Sequence, residues 1–246
     1  MDFIVVVAIA FFASGLTFFS GFGLGTLLLP AFALFFSSPI ALAATGVVHL
    51  LNNLFKTVLV RRNVHWPTVL KFGLPAIPAA ILGALLLTYL DERIAAIVIG
   101  AVLIVFAVLE LQPWFQKISF PRNFLTLGGV ATGFLGGVSG QQGALRSMFL
   151  LKLGFNPQQY IATGVLIAVL IDLARIPTYA IGLMGSSAEI TNREMWLIAA
   201  GATAAFLGAW IGSKLVTKTT IAAIRYVVAG LMIMIGVSLI LGVIGA

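Results

Sequence analysis

The sequence predicts an all-α polytopic membrane protein made of two inverted-topology repeats, each a glycine-broken helical hairpin plus three transmembrane helices. Three observations lead there. Of 246 residues, 61% are hydrophobic and 9% charged, far from the balance of a soluble domain. A shift of 118 positions superposes Gly25 on Gly143, Pro39 on Pro157, Ala44 on Ala162, and Thr45-Gly46-Val47 on Thr163-Gly164-Val165. Lysine and arginine collect on one side of the membrane only when the two halves are inverted.

In chain order, the first broken segment covers about 3–36 and is interrupted at Ser20-Gly21-Phe22-Gly23-Leu24-Gly25. Runs at roughly 38–60, 67–89 and 94–111 follow, each close to the ~20 helical residues that a crossing takes. Pro39 suits a helix start, where a missing N–H costs little, and Trp66 sits at a segment edge, as interfacial aromatics do. The repeats occupy 1–112 and 124–246, with a linker at 113–123. The second broken segment, about 124–153, is interrupted at Gly136-Gly137-Val138-Ser139-Gly140-Gln141-Gln142-Gly143. Runs at 158–182, 194–214 and 222–244 complete the chain. Pro157 and Trp196 again stand at a helix start and a segment edge.

The broken segments decide the topology. As single spans they make the halves parallel, and Lys and Arg divide seven to five. As hairpins they invert the halves, and the division becomes ten to two, with only Arg93 and Arg193 opposite. Arg146 and Arg175 are left out of both counts as intramembrane. The positive-inside rule selects the hairpins. It makes the basic loops and the linker cytoplasmic, leaves both termini outside, and implies a multi-pass protein of the cell inner (plasma) membrane. The net charge of +7 then reads as topology and attraction to anionic headgroups, not as nucleic-acid binding. Met1-Asp2-Phe3 carries no basic n-region, so no removable signal peptide is expected. The absence of cysteine excludes disulfides and thiolate chemistry.

Paired breaks in two halves are the best sequence pointer to a transporter's binding site, because freed backbone groups cannot face lipid. Arg146 lies about six residues inside Lys152, and its repeat mate is Leu28, so fold symmetry does not call for a charge there. Its fork of donors matches an oxyanion; snorkelling to the interface is the other reading. Gln141 and Gln142 can donate to an anion or brace the break. Ser139, Gly140 and Gly143, and in the first hairpin Gly21, Gly23, Gly25 and Thr26, can offer backbone N–H groups at helix starts, although glycine also serves close helix packing. Asp172 and Arg175 share a helix face: they neutralise one another, or Arg175 binds substrate while Asp172 holds it or takes a proton. Thr45 and Thr163 hold matching positions, where each hydroxyl bonds a carbonyl of its own helix or lines the cavity. His49, with Asn52 and Asn53 a turn on, packs or couples a proton, since histidine titrates near physiological pH. His65 is assigned no chemistry. The phenylalanines crowding the first hairpin read as lipid-facing or packing residues.

Gly137-Val138-Ser139-Gly140 matches the short G-x-S-G pattern of intramembrane serine proteases. That chemistry needs a histidine within reach, and the only two, His49 and His65, both lie upstream. A metalloenzyme is equally poor. No enzyme, metal or cofactor is expected.

The order and duplication of these parts resemble the sulfite exporter TauE/SafE family over about 10–243. The matching elements are the Ser20–Gly25 break with Pro30, Ala44-Thr45-Gly46, Val64-His65-Trp66, and the second break with Ala162-Thr163-Gly164. The family's glycine triplet is weakened to Gly23-Leu24-Gly25 and then to Gln141-Gln142-Gly143, which leaves sulfite, a sulfonate, thiosulfate or a carboxylate open as substrate. The resemblance implies transport of a small organic or inorganic sulfur-containing anion, often as efflux, without a tightly bound cofactor. The expected function is a secondary transporter exporting such an anion by alternating access. The alternative is an anion channel, or a permease taking up a small carboxylate. The lipid bilayer and a small anion are the expected partners, and homodimerisation stays open.

Overall fold

The computed structural model describes residues 2–16, 24–184, 190–215 and 221–244. Among these, all regular structure is helical. The first half supplies α1 (Asp2–Leu16), α2 (Leu24–Ala33), α3 (Ser38–Val60), α4 (Trp66–Thr88) and α5 (Glu92–Leu111). The second half supplies α6 (Leu125–Ser139), α7 (Gly143–Leu150), α8 (Pro157–Met184), α9 (Asn192–Leu215) and α10 (Ile221–Leu241). A short helix, Pro113–Lys117, lies between them. Helices α3, α4, α5, α8 and α9 are long and apolar enough to cross a membrane, while α1 and the apolar part of α10 are shorter. Their bounds lie within about three residues of those read from the hydrophobic runs, because tertiary packing here follows apolar length.

Packing is reciprocal between the halves. Helix α1 lies on α9 and α6 on α4, while α3 packs on α8 and α5 on α10. Glycine makes the closest of these approaches. A Cβ on Gly129, Gly133 or Gly137 of α6 would collide with the Phe72, Ala76 or Ala80 carbonyl of α4, and one on Gly208 with the Phe11 carbonyl of α1. Lipid offers no hydrophobic drive for helices to associate, so small residues that let backbones touch take over that role. Gly136 and Gly137 therefore belong to α6, and the interruption is narrower than the glycine cluster suggests: it is confined to Gly140–Gln142.

These contacts also fix direction. Gly46 and His49 of α3 meet Arg175 and Asp172 of α8, and His65, just beyond α3, bonds to Thr163 near the start of α8, so the two helices run antiparallel. Arg93 at the start of α5 donates to the carbonyls of Leu239 and Ile240 at the end of α10, another antiparallel pair. The α6–α7 hairpin leaves and re-enters one end of the bundle, since Phe120 before α6 donates its N–H to the Met148 carbonyl in α7 at 3.0 Å. That same end, where α3 finishes and α8 begins, carries exposed Arg61, Arg62, Lys71 and Lys152.

Candidate functional site

The second break is built by one glycine and braced by two side chains from α8. Gly140 ends α6 at φ +76, a left-handed conformation that costs glycine nothing and other residues much. Its N–H closes onto the Gly136 carbonyl at 2.9 Å. Arg175 Nη1 donates to that same carbonyl at 3.2 Å, and the Tyr179 hydroxyl donates to the Gly137 carbonyl. Ser139 is fully buried, and its hydroxyl donates to the Leu135 carbonyl at 3.0 Å, which braces the end of α6. Gln141 is buried beside it. Gly143 opens α7, whose first residue has no side-chain cap from Gln142.

Asp172 is the hub. One carboxylate oxygen accepts from Arg175 Nε at 2.9 Å and from Gln142 Nε2 at 3.0 Å, and the other lies 2.6 Å from His49 Nδ1. A carboxylate only accepts, so His49 donates through Nδ1. The Asn53 amide nitrogen sits 3.0 Å from the same ring nitrogen. Gln142 in turn accepts from Arg146 Nη1 at 3.2 Å. Asp172, Arg175 and Arg146 are all buried. An unpaired carboxylate in such a place would cost several kcal/mol, and three donors from α3, the break and α8 offset that cost. The expected Asp172–Arg175 pair is thus present, but it is part of a wider network.

Gly25, at the end of the first glycine cluster, also reaches this site. A methyl on Gly25, second residue of α2, would stand 3.5 Å from His49 Cδ2 and 3.8 Å from the Gly140 carbonyl oxygen. Gly21 and Gly23 lie outside the described residues, as do Lys218 and the side chain of Thr26. The repeated Thr-Gly-Val motif contributes from both sides. A methyl on Gly46 would stand 3.5 Å from Arg175 Nη2, and one on Gly164 would stand 3.5 Å from Arg146 Nε. Each motif therefore sets a position without a side chain beside a buried guanidinium. Arg175 Nη2 has no hydrogen-bond partner, and neither does the buried Thr45 hydroxyl. Buried donors left this way are rare.

The matching threonines differ. Thr163 does not bond a carbonyl of its own helix; its hydroxyl accepts the His65 N–H at 3.0 Å. His65 itself caps α4, its ring accepting from Thr68 N at 3.3 Å. Sequence reasoning missed Lys56. Counted with the loop charges, it is only 4% exposed. Its ammonium reaches the Asn52 amide oxygen at 3.1 Å when that amide is turned to donate to Ser14 Oγ and the Ala205 carbonyl, the orientation that satisfies every partner. A signal was available: Thr45, His49, Asn52, Asn53 and Lys56 follow one another at helical spacing, on one face of α3. Moving Lys56 inside lowers the basic-side count from ten to nine and leaves the asymmetry.

The cluster can hold a small oxyanion through guanidinium and amide N–H groups, or pass a proton between His49 and Asp172. Residues 6–239 match the family model described as sulfite exporter TauE/SafE. Comparison with curated proteins and with solved structures gave no match.

Proposed function

Because the chain belongs to the sulfite exporter TauE/SafE family, a family of membrane transporters of sulfite-type anions, we propose that it is a secondary transporter exporting sulfite or a related sulfonate by alternating access. The observation that carries this reading is the meeting of Gly25, Gly46 and Gly140 around His49 and the buried Arg175, whose Nη2 beside Gly46 has no hydrogen-bond partner. The anion sits between the hairpin tips. Arg146 and Arg175 face its charge, Gln142, Gln141 and Thr45 complete its hydrogen bonds, and backbone N–H groups at Gly25 and Gly143 close the shell. Arginine suits the task because its planar fork pairs with two oxygens at once.

The two repeats, 1–112 and 124–246, are inverted, joined by a cytoplasmic linker at 113–123. The antiparallel course of α3 against α8, helices related by the 118-residue shift, and of α5 against α10, the last helix of each half, supports this. The basic end is cytoplasmic in the inner membrane, on a count of nine against two. Rocking one repeat against the other opens the site to each face in turn. A negative interior then helps expel an anion by about 2.3 kcal/mol per charge per 100 mV. Asp172 has two roles. It holds His49, Gln142 and Arg175 in place, and with His49 it offers the shortest route for a coupled proton.

Sulfite flux in proteoliposomes tests the reading. Wild-type protein should saturate and show counterflow, and Arg146→Ala should lose most of its flux. Unchanged flux and KM in Arg146→Ala would remove the site, and non-saturating flux would remove the carrier.

A further inference from the structure

Lys56 lies about 10 Å along α3 from His49, seven residues on, toward the end of the bundle that carries Arg61, Arg62 and Lys152. It is not a snorkelling side chain, since it is buried, and burying an ammonium in a bilayer is costly enough to make a functional role the default reading. Its surroundings are built from both halves. Ser14 of α1 and the Ala205 carbonyl of α9 orient Asn52, which accepts from Lys56 Nζ at 3.1 Å. The polar face of α3 is continuous from Thr45 through His49, Asn52 and Asn53 to Lys56, and all but the half-buried His49 are buried.

We infer that Lys56 and Asn52 form a second station for a small oxyanion, between the central site and the basic end, along the polar face of α3. This rests on the transport reading above. An anion entering from the basic end meets Lys56 before Arg175, which packs beside Gly46 ten residues farther along α3. The Lys56 ammonium binds it as a point charge, and the Asn52 amide, braced by Ser14, keeps that ammonium from turning away.

The test is sulfite transport by full-length protein reconstituted in one orientation, with sulfite supplied to either face. Lys56→Gln keeps a hydrogen bond to Asn52 while removing the charge, Lys56→Met removes both, and Lys56→Arg restores the charge. Lys56→Gln and Lys56→Met should raise KM for sulfite supplied at the basic end by about tenfold while changing KM at the other face by less than about threefold, and Lys56→Arg should recover most of the difference. Unchanged KM at both faces in Lys56→Gln overturns the second station. So does equal loss in all three variants with a lowered Tm, which marks a packing residue. Arg146→Ala is run beside them. If it too transports normally, the central anion site has failed. If it alone fails to transport, only the second station falls.

Discussion

The two halves share motifs at a 118-residue shift and differ in the polar residues they carry. Under the 118-residue shift, Gln142, Arg146, Asp172 and Arg175 of the second half fall on Leu24, Leu28, Leu54 and Thr57 of the first. In the other direction, His49, Asn52, Asn53 and Lys56 fall on Ile167, Leu170, Ile171 and Ala174. Almost every polar group of the cluster thus has an apolar mate. What the repeat preserves is the set of features a helix-packing scaffold needs: the break, the proline at a helix start, and the Thr-Gly-Val that opens room beside a guanidinium. The second half places Arg146 and Gln142 at its break and Asp172 and Arg175 on α8, and the first half places the polar stripe on the facing helix α3. A buried charge is expensive twice over if it is also duplicated, so an asymmetric site within a symmetric frame is the cheaper arrangement.

That division is broken most severely at Asp172. Asp172→Leu, which installs the residue of its mate, leaves Arg175 buried without its carboxylate and removes the acceptor for His49 and Gln142. Loss of one partner from a buried pair costs about 3–5 kcal/mol, so thermal unfolding in detergent should fall sharply and transport should vanish. Leu54→Ala, at the exposed mate, should do neither. An Asp172→Leu protein with wild-type Tm would show that the network does not hold the break.

The frame is broken next at its glycines. Gly133→Leu drives a side chain into the Ala76 carbonyl of α4. Overpacking of this kind costs about 1–3 kcal/mol, and the helices must part to accept it. Both Tm and maximal flux should drop, whereas Gly230→Leu in α10, where nothing lies within 4 Å of the new Cβ, should be tolerated. The chemistry is separated from the frame by Arg146→Leu, again the residue of the mate. Sulfite KM should rise by about tenfold or more, or transport should be lost, with a Tm change under about 1 kcal/mol equivalent. A large Tm loss without a KM change would make Arg146 a brace.

Much of this was legible in the chain and some was not, for definite reasons. Spans follow from apolar length, so α3 and α8 were readable to within a residue or two. Gly140 could be read as a break, but Gly136 and Gly137 could not be told from it, because glycine serves both a left-handed turn and a close helix contact. Lys56 counts with the basic side although it falls inside the 38–60 run, and the periodicity of the polar stripe puts it with His49. The His49–Asp172 contact joins positions 123 residues apart, and no local pattern announces such a pairing.

The subtlest expected difference concerns two residues that the repeat left identical. Thr163 spends its hydroxyl on the His65 N–H, which ties the start of α4 to α8. Thr163→Val leaves that N–H without an acceptor and should lower stability by about 1 kcal/mol, with sulfite KM unchanged. Thr45 is equally buried, yet its hydroxyl has no partner. Thr45→Val keeps the shape and removes an unsatisfied polar group, so stability should hold or rise slightly. If the hydroxyl waits for an oxyanion beside Arg175, KM should nonetheless increase by a few-fold. Measuring Tm and KM for both valine variants therefore crosses the two readouts: one threonine should move only the first, the other only the second. If both valine variants changed Tm alike and neither changed KM, the two threonines would serve the frame equally, and the first half's share of the site would shrink to His49 and the residues beyond it on α3.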